Sequence, residues 1–267
     1  MKKIIIVGVG VLLVVTAAVW FLSRSKIATG AGVSGPAAVL LNQAKDLESK
    51  GNLLEAKNIY AKLINDNSSS PEVMNWQKKM EALNIKLIFS PTITPESISY
   101  EIKPGDTLNK IAKEFNTTTE LIAKSNNLPS DKIIPGRKIK VWKAPFSIFV
   151  DKSENILLLK CGDGIFKTYI VSTGKNNSTP VGTYKIVNKL TNPTWFRSGA
   201  VVPPNSPDNV LGTRWMGFDL AGYGIHGTTE PENLGKQVTL GCVRMANPEV
   251  EELYTIVPSG TEVTIVD

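Results

Sequence analysis

The hydrophobic period changes part-way along this chain of 267 residues, and that change restricts its fold more than any other feature. Through residue 86 apolar side chains recur at helical spacing. From Ser147 onward they alternate in steps of two, the period of half-buried strands. Segregated periods of this kind belong to a multidomain α+β protein whose C-terminal part is mainly β.

Ahead of both lies Ile4 to Leu22, which carries no charge and is flanked by Lys2, Lys3, Arg24 and Lys26. About 20 apolar residues cross a bilayer as a helix. A secretory signal has a shorter apolar core and a small-residue cleavage site, for which Ala28-Thr29-Gly30 is the one late candidate. Residues 1–26 are therefore expected to form an uncleaved N-terminal transmembrane helix, with a cleaved signal as the alternative. Lys2 and Lys3 on a short arm favour the N-terminus inside. Either way the body of the protein lies in the cell envelope, extracytoplasmic or periplasmic, tethered to the inner membrane or secreted.

Residues 37–86 carry three helical stretches, Ala37 to Lys50, Leu53 to Asn65, and a third opened by Ser70-Pro71-Glu72, with serine as cap and proline in the first turn. Gly51, Ala56 and Tyr60 fall at the offsets of a tetratricopeptide repeat, so the segment resembles one such TPR-like unit. A single repeat buries too little to stand alone, so these helices should pack on one another or on a partner. A protein-binding surface and a plain spacer both remain open. Residues 87–98, with Pro91 and Pro95 among β-branched neighbours, read as a linker.

Residues 99–142 have the pattern of a compact βααβ module. Tyr100-Glu101-Ile102 reads as a strand. Asp106 is placed to cap a helix whose Leu108, Ile111, Ala112 and Phe115 share one face, and Thr117 with Glu120 suggests a capping box for a second helix. Gly105-Asp106-Thr107-Leu108, Asn126-Asn127-Leu128 and Ile134-Pro135-Gly136 give this module its resemblance to a LysM domain. The resemblance implies binding to N-acetylglucosamine-containing glycans such as peptidoglycan, with Gly105, Asp106, Thr107 and Leu108 lining the groove.

In residues 146–267, strands are expected at Ser147 to Val150, Ile156 to Lys160, Ile165 to Val171, Gly182 to Val187, Trp215 to Leu220 and Glu262 to Val266, with one helix over Pro248 to Val257. This region holds the chain's one histidine, His226, and both cysteines, Cys161 and Cys242. A thiol attacks carbonyls as thiolate and needs a base to take its proton, and His226 is the one imidazole present. Gly227 and Gly241 flank the pair, where backbone can approach a substrate closely. A buried apolar thiol and a satisfied ring are the bland alternative. Cys161, among the strand formers ILLLKC, reads as a small apolar residue, although a disulfide to Cys242 would block the nucleophile. One histidine and two cysteines without metal-ligand spacing give no metal site, and no cofactor motif is present. Residues 143–267 carry a net charge of −1, which argues against nucleic acid as a partner.

Four blocks in order, Ser172-Thr173-Gly174, Thr179-Pro180-Val181-Gly182-Thr183-Tyr184, Tyr223-Gly224-Ile225-His226-Gly227 and Thr239-Leu240-Gly241-Cys242-Val243-Arg244-Met245, make residues 146–267 resemble the YkuD-type L,D-transpeptidase catalytic domain. The resemblance implies that Cys242 attacks the L,D bond of a peptidoglycan tetrapeptide stem, releasing D-alanine and forming a thioester that an acceptor amine resolves. Water in place of the amine would make an L,D-carboxypeptidase, and an idle site would leave a glycan-binding scaffold. His226 would move the protons and the Gly227 carbonyl would hold its ring. The N–H groups of Gly241 and Cys242 would receive the oxyanion. Arg244 would pair with a stem carboxylate, orient the cysteine loop or form a structural ion pair, and Tyr223 and Thr239 would border the substrate. Lys175, Trp195, Arg214 and Trp215 could also border the cleft. Leu240 stands where many family members have histidine.

Overall fold

The computed structural model describes residues 34–267 apart from 198 and 205. The expected transmembrane helix over residues 1–26 lies outside the described residues. Among those described, no helix is long and apolar enough to cross a membrane.

Three helices come first, α1 (Pro36–Ser49), α2 (Leu53–Asp66) and α3 (Val73–Ile88). Ala44, Ala56, Tyr60, Leu63, Trp76 and Leu83 form their core, and the Tyr60 hydroxyl donates to Glu48 Oε1 at 2.7 Å. The expected serine cap is displaced. Ser70 Oγ accepts from the Glu72 N–H at 3.2 Å within a turn, and the helix begins at Val73. Proline at position 71 thus shapes the approach to the helix instead of its first turn.

The βααβ module follows as β1 (Ser97–Glu101), α4 (Leu108–Glu114), α5 (Thr119–Ser125) and β2 (Lys138–Trp142), with β1 and β2 antiparallel. Both expected caps move by one residue. Thr107, not Asp106, caps α4 by accepting from the Lys110 N–H, and Thr118, not Thr117, caps α5 by accepting from the Leu121 N–H. A cap must reach the N–H three residues on, and only the threonine next to each helix start does so. Asp106 instead accepts from the Tyr100 hydroxyl at 2.9 Å and the Lys103 N–H at 2.8 Å, tying the preceding loop to β1. Glu120 accepts from the Thr119 hydroxyl instead of closing a capping box.

The C-terminal region is built on an eight-stranded sheet, in the order β13-β11-β10-β7-β14-β3-β4-β5. Its strands are β3 (Phe146–Asp151), β4 (Ile156–Cys161), β5 (Gly164–Ile170), β7 (Gly182–Thr191), β10 (Arg214–Phe218), β11 (Gly224–His226), β13 (Val243–Arg244) and β14 (Glu262–Val266). The pairs β14/β3 and β11/β13 are parallel and the other neighbours antiparallel. Short β6 (Thr173–Gly174) pairs with β12 (Gln237–Thr239), and β8 (Trp195–Arg197) with β9 (Ala200–Val202). Helix α6 (Asn247–Ile256) buries Val250, Leu253 and Ile256 in the core beside Met216, Ile225 and Val243.

These regions pack as one body. Helix α3 covers β5, the edge of the large sheet, so the helical segment is more than a spacer. Asn84 donates to the Phe166 carbonyl at 2.9 Å, and the Glu81 carboxylate accepts from the Thr168 N–H and hydroxyl at 3.1 and 3.0 Å. Capping an edge in this way removes a row of unpaired backbone groups from solvent. On β2, the buried Lys140 ammonium donates to the carbonyls of Leu87 at 2.6 Å and Ser90 at 3.0 Å, where a helix end concentrates partial negative charge. Burial pushes its pKa down to about 8, against a smaller opposing pull from Glu96. The Thr118 hydroxyl bonds the Thr255 carbonyl on α6, closing the third contact.

Candidate active site

Cys242 and His226 are brought together by the parallel pairing of β11 and β13. Ile225 faces Val243 and His226 faces Arg244. One step back in the same register puts Cys242 beside Gly224, and alternation sends the side chains of Cys242, Arg244 and His226 to one face. The two chemical groups, 16 positions apart in sequence, are thus diagonal neighbours across a strand pair. β13 is anchored on its other side by Ser172, which exchanges backbone bonds with Arg244 at 2.8 and 2.9 Å.

The ring of His226 is held from two directions. Nδ1 faces the Gly227 carbonyl at 2.7 Å, which makes Nδ1 the protonated nitrogen and leaves Nε2 with its lone pair. Trp215, paired with His226 across β10 and β11, stacks on the imidazole at a centroid distance of 6.0 Å, and its Nε1 donates to Asn188 Oδ1 at 3.0 Å. Burial lowers the His226 pKa to about 4. The Gly227 bond opposes that shift and Arg244 adds to it. Burial also pushes the Cys242 thiol up to about 11, opposed by the Gly224 N–H and by Arg244. The resting pair is therefore neutral thiol and neutral imidazole. In keeping with this, the thiol donates to the Gly222 carbonyl at 3.5 Å.

The Thr239–Cys242 loop is stapled by its own hydroxyl. Thr239 Oγ1 donates to the Cys242 carbonyl at 2.7 Å and accepts from the Gly241 N–H at 3.2 Å. That second bond commits the Gly241 N–H, expected from the sequence to face an oxyanion, to the staple. Gly241 has φ +133°, and a Cβ there would stand 2.7 Å from the Tyr223 ring. Tyr223 therefore packs on the loop, and glycine is required by that approach. Leu240 is 90% exposed beside the thiol. Both cysteines are free, so no bridge to Cys161 blocks the sulfur.

Arg244 is buried and donates to Glu230 Oε2 at 2.8 Å, while its Nε finds no partner among the described residues. Arg214 points elsewhere, toward the Tyr254 ring and Glu251 on α6. In the βααβ module, Leu108 is 4% exposed within the core, so its side chain is withheld from any sugar. Gly105 accepts from Lys110 Nζ through its carbonyl, and the Asp106 and Thr107 side chains are spent on the turn and the cap. Trp215 and Asn188 gain clear roles here. Their signal in the sequence was faint, because a tryptophan and an asparagine on separate strands meet only through register.

A thiol, a buried imidazole of fixed tautomer and a stapled loop, set at adjoining strand ends, define a cysteine-dependent acyl-transfer enzyme. The comparisons carry this further. The family model for the L,D-transpeptidase catalytic domain, YkuD, matches residues 145–265, and that for the LysM domain matches residues 100–142. The chain is similar to YkuD of Bacillus subtilis (strain 168), 34% identical over 175 residues, covering 63% of this chain and 98% of that protein. YqjB of the same organism is 40% identical over 126 residues, 45% of this chain and 70% of the relative. Among solved structures, an L,D-transpeptidase from Mycobacterium smegmatis aligns with TM-score 0.41 and 17% identity, over 51% of this chain and 65% of that one. The chain belongs to the YkuD L,D-transpeptidase family and carries a LysM domain ahead of the catalytic one. It is a peptidoglycan L,D-transpeptidase, and its place of work is the cell wall, outside the cytoplasm.

Proposed function

We propose that Cys242 and His226 perform the transfer as a neutral pair. Nε2 of His226 takes the thiol proton as sulfur bonds to the carbonyl carbon of the L,D bond in a tetrapeptide stem. The C–N bond then breaks, the proton passes from the imidazole to the departing D-alanine amine, and a thioester remains on Cys242. An acceptor amine attacks the thioester, gives its proton to His226, and leaves as the new amide while the thiol is re-formed. The observation that carries this reading is the β11/β13 register, with Nδ1 fixed on the Gly227 carbonyl. With the Gly241 N–H held by Thr239, the Cys242 N–H is the loop's remaining oxyanion donor. The guanidinium of Arg244, held by Glu230 through Nη1, supports a role in receiving a stem carboxylate or in ordering the cysteine loop.

Further parts of the reading concern location and partners. The uncharged run Ile4 to Leu22 supports a membrane tether, with the LysM groove near Gly105 to Thr107 gripping glycan through backbone and turn groups. Together these raise the local concentration of stems. The outer face of α1 and α2 is available to a protein partner.

Incubating the protein with tetrapeptide muropeptides should give an acyl adduct on Cys242 by mass spectrometry, followed by cross-linked dimers. Trimmed monomers without dimers would assign the carboxypeptidase reaction instead. Absence of both adduct and products would remove the proposal.

A further inference from the structure

Asn247 bonds the backbone that carries the imidazole's support. It is the first residue of α6, and its side-chain amide makes three hydrogen bonds to two backbone segments. Oδ1 accepts from the N–H groups of Thr213 at 3.2 Å and Thr228 at 3.0 Å, and Nδ2 donates to the Thr228 carbonyl at 2.8 Å. Thr228 directly follows Gly227, whose carbonyl holds Nδ1. Thr213 directly precedes β10, whose Trp215 stacks on the ring. The packing is close. A Cβ on Gly212 would lie 2.3 Å from Asn247 Oδ1, and one on Gly227 would lie 2.2 Å from it. Glycine at position 227 is thus demanded by this amide, apart from any approach of substrate.

We propose that Asn247 is a positioning residue for the transfer: by clamping the 212–213 loop to the 227–228 turn it fixes the Gly227 carbonyl, and through that carbonyl the tautomer and tilt of the His226 ring. The inference rests on the reading of His226 as the base. A planar amide suits the task, since it accepts two N–H groups on one atom and donates from the other in the same plane. A hydroxyl or methyl at this position surrenders at least one of the three bonds. With the carbonyl free to turn, the ring loses its fixed tautomer, and Nε2 is protonated part of the time and cannot accept from the thiol. The charged and titratable groups facing the ring are Arg244 and Cys242 from the β13 side, with Glu230 acting through Arg244, while β10 presents the neutral Trp215. None of these is altered by a change at Asn247, so a shift in the ring's titration would report the clamp itself.

The test uses the full chain and muropeptide turnover over a range of pH. In Asn247→Ala, kcat should fall about 10²-fold, the scale expected for a reacting group displaced by about 1 Å, with KM nearly unchanged. The acid limb of the rate profile should move to still lower pH, because a loosened Gly227 carbonyl no longer opposes the lowering of the imidazole pKa by burial. Asn247→Ser, neutral and well tolerated at helix starts, decides the matter if alanine prevents folding, and the same two changes are expected of it. Wild-type kcat in a folded variant, or a lower kcat with an unmoved acid limb, would overturn the inference and leave Asn247 a purely structural tie. If the wild-type protein itself forms no Cys242 adduct, the base assignment falls, and this inference falls with it. That outcome is distinguishable because it appears before any variant is made.

Discussion

The two cysteines of this protein are alike in burial and unlike in company. Cys161 closes β4 and Cys242 opens toward β13; both are free and half-buried, and both thiols are pushed up to about 11 with burial as the main cause. At Cys161 the next influence is the Glu96 carboxylate, which raises the thiol further, with Lys57 opposing. At Cys242 the next influences are the Gly224 N–H and Arg244, both of which favour negative charge on sulfur. Resting pKa therefore does not separate a nucleophile from a structural thiol. What separates them is the neighbouring base and the groups that stabilise the charge once the proton has gone.

The sharpest way to break this contrast is substitution. Cys242→Ala should abolish muropeptide turnover, a loss on the order of 10⁶-fold in kcat by analogy with nucleophile removal in other acyl-transfer sites, whereas Cys161→Ala should leave kcat within about twofold. Comparable losses in both would erase the distinction. His226→Gln should lower kcat about 10²- to 10⁴-fold, and the rate of Cys161 alkylation by iodoacetamide should not change.

The pH profile sharpens the same contrast. A base must be neutral, and burial holds the His226 pKa at about 4, so kcat/KM should stay level down to about pH 5 and fall near pH 4. An acid limb near 6.5 would mean that the imidazole is solvated in the working enzyme. A smaller effect is expected of Thr239→Val, which removes both staple bonds. It should cost about tenfold in kcat, or about 1.4 kcal/mol, within the range for a lost buried hydrogen bond. The smallest concerns Lys140, which shares the Glu96 carboxylate with Cys161. Its folded pKa of about 8 lies below the unfolded value of about 10.4, so the unfolded chain binds more protons between those values and stability rises with pH across that window. Lys140→Met should flatten that rise in thermal melts.

The sequence made the long elements legible and hid the short ones. Helices α1 to α5 and strands β3, β4, β5 and β14 lie where periodicity places them, because each buries one face over a full turn or several alternations. Strands β11 and β13 span only Gly224–His226 and Val243–Arg244, too few residues to display a period, yet they hold the imidazole and adjoin the thiol. β11 pairs with its neighbour β10, but β13 depends on partners distant in sequence, β11 on one side and Ser172 on the other. His226 and Cys242 were singled out by motif and rarity, and the β11/β13 register sends their side chains to one face. Asn247 took on meaning only in three dimensions, as did the stacking of Trp215 on the imidazole and the commitment of the Gly241 N–H to Thr239. Cap positions missed by one residue for a local reason, since two neighbouring polar residues compete for the same helix start at Asp106-Thr107 and Thr117-Thr118.

The ammonium of Lys140 donates to the Leu87 carbonyl at the end of α3 and to the Ser90 carbonyl just beyond it, while α3 itself lies along β5, so the βααβ module is tied through α3 to the large sheet. A sugar chain grasped by the βααβ module would, through these ties, reach the sulfur at one offset and heading.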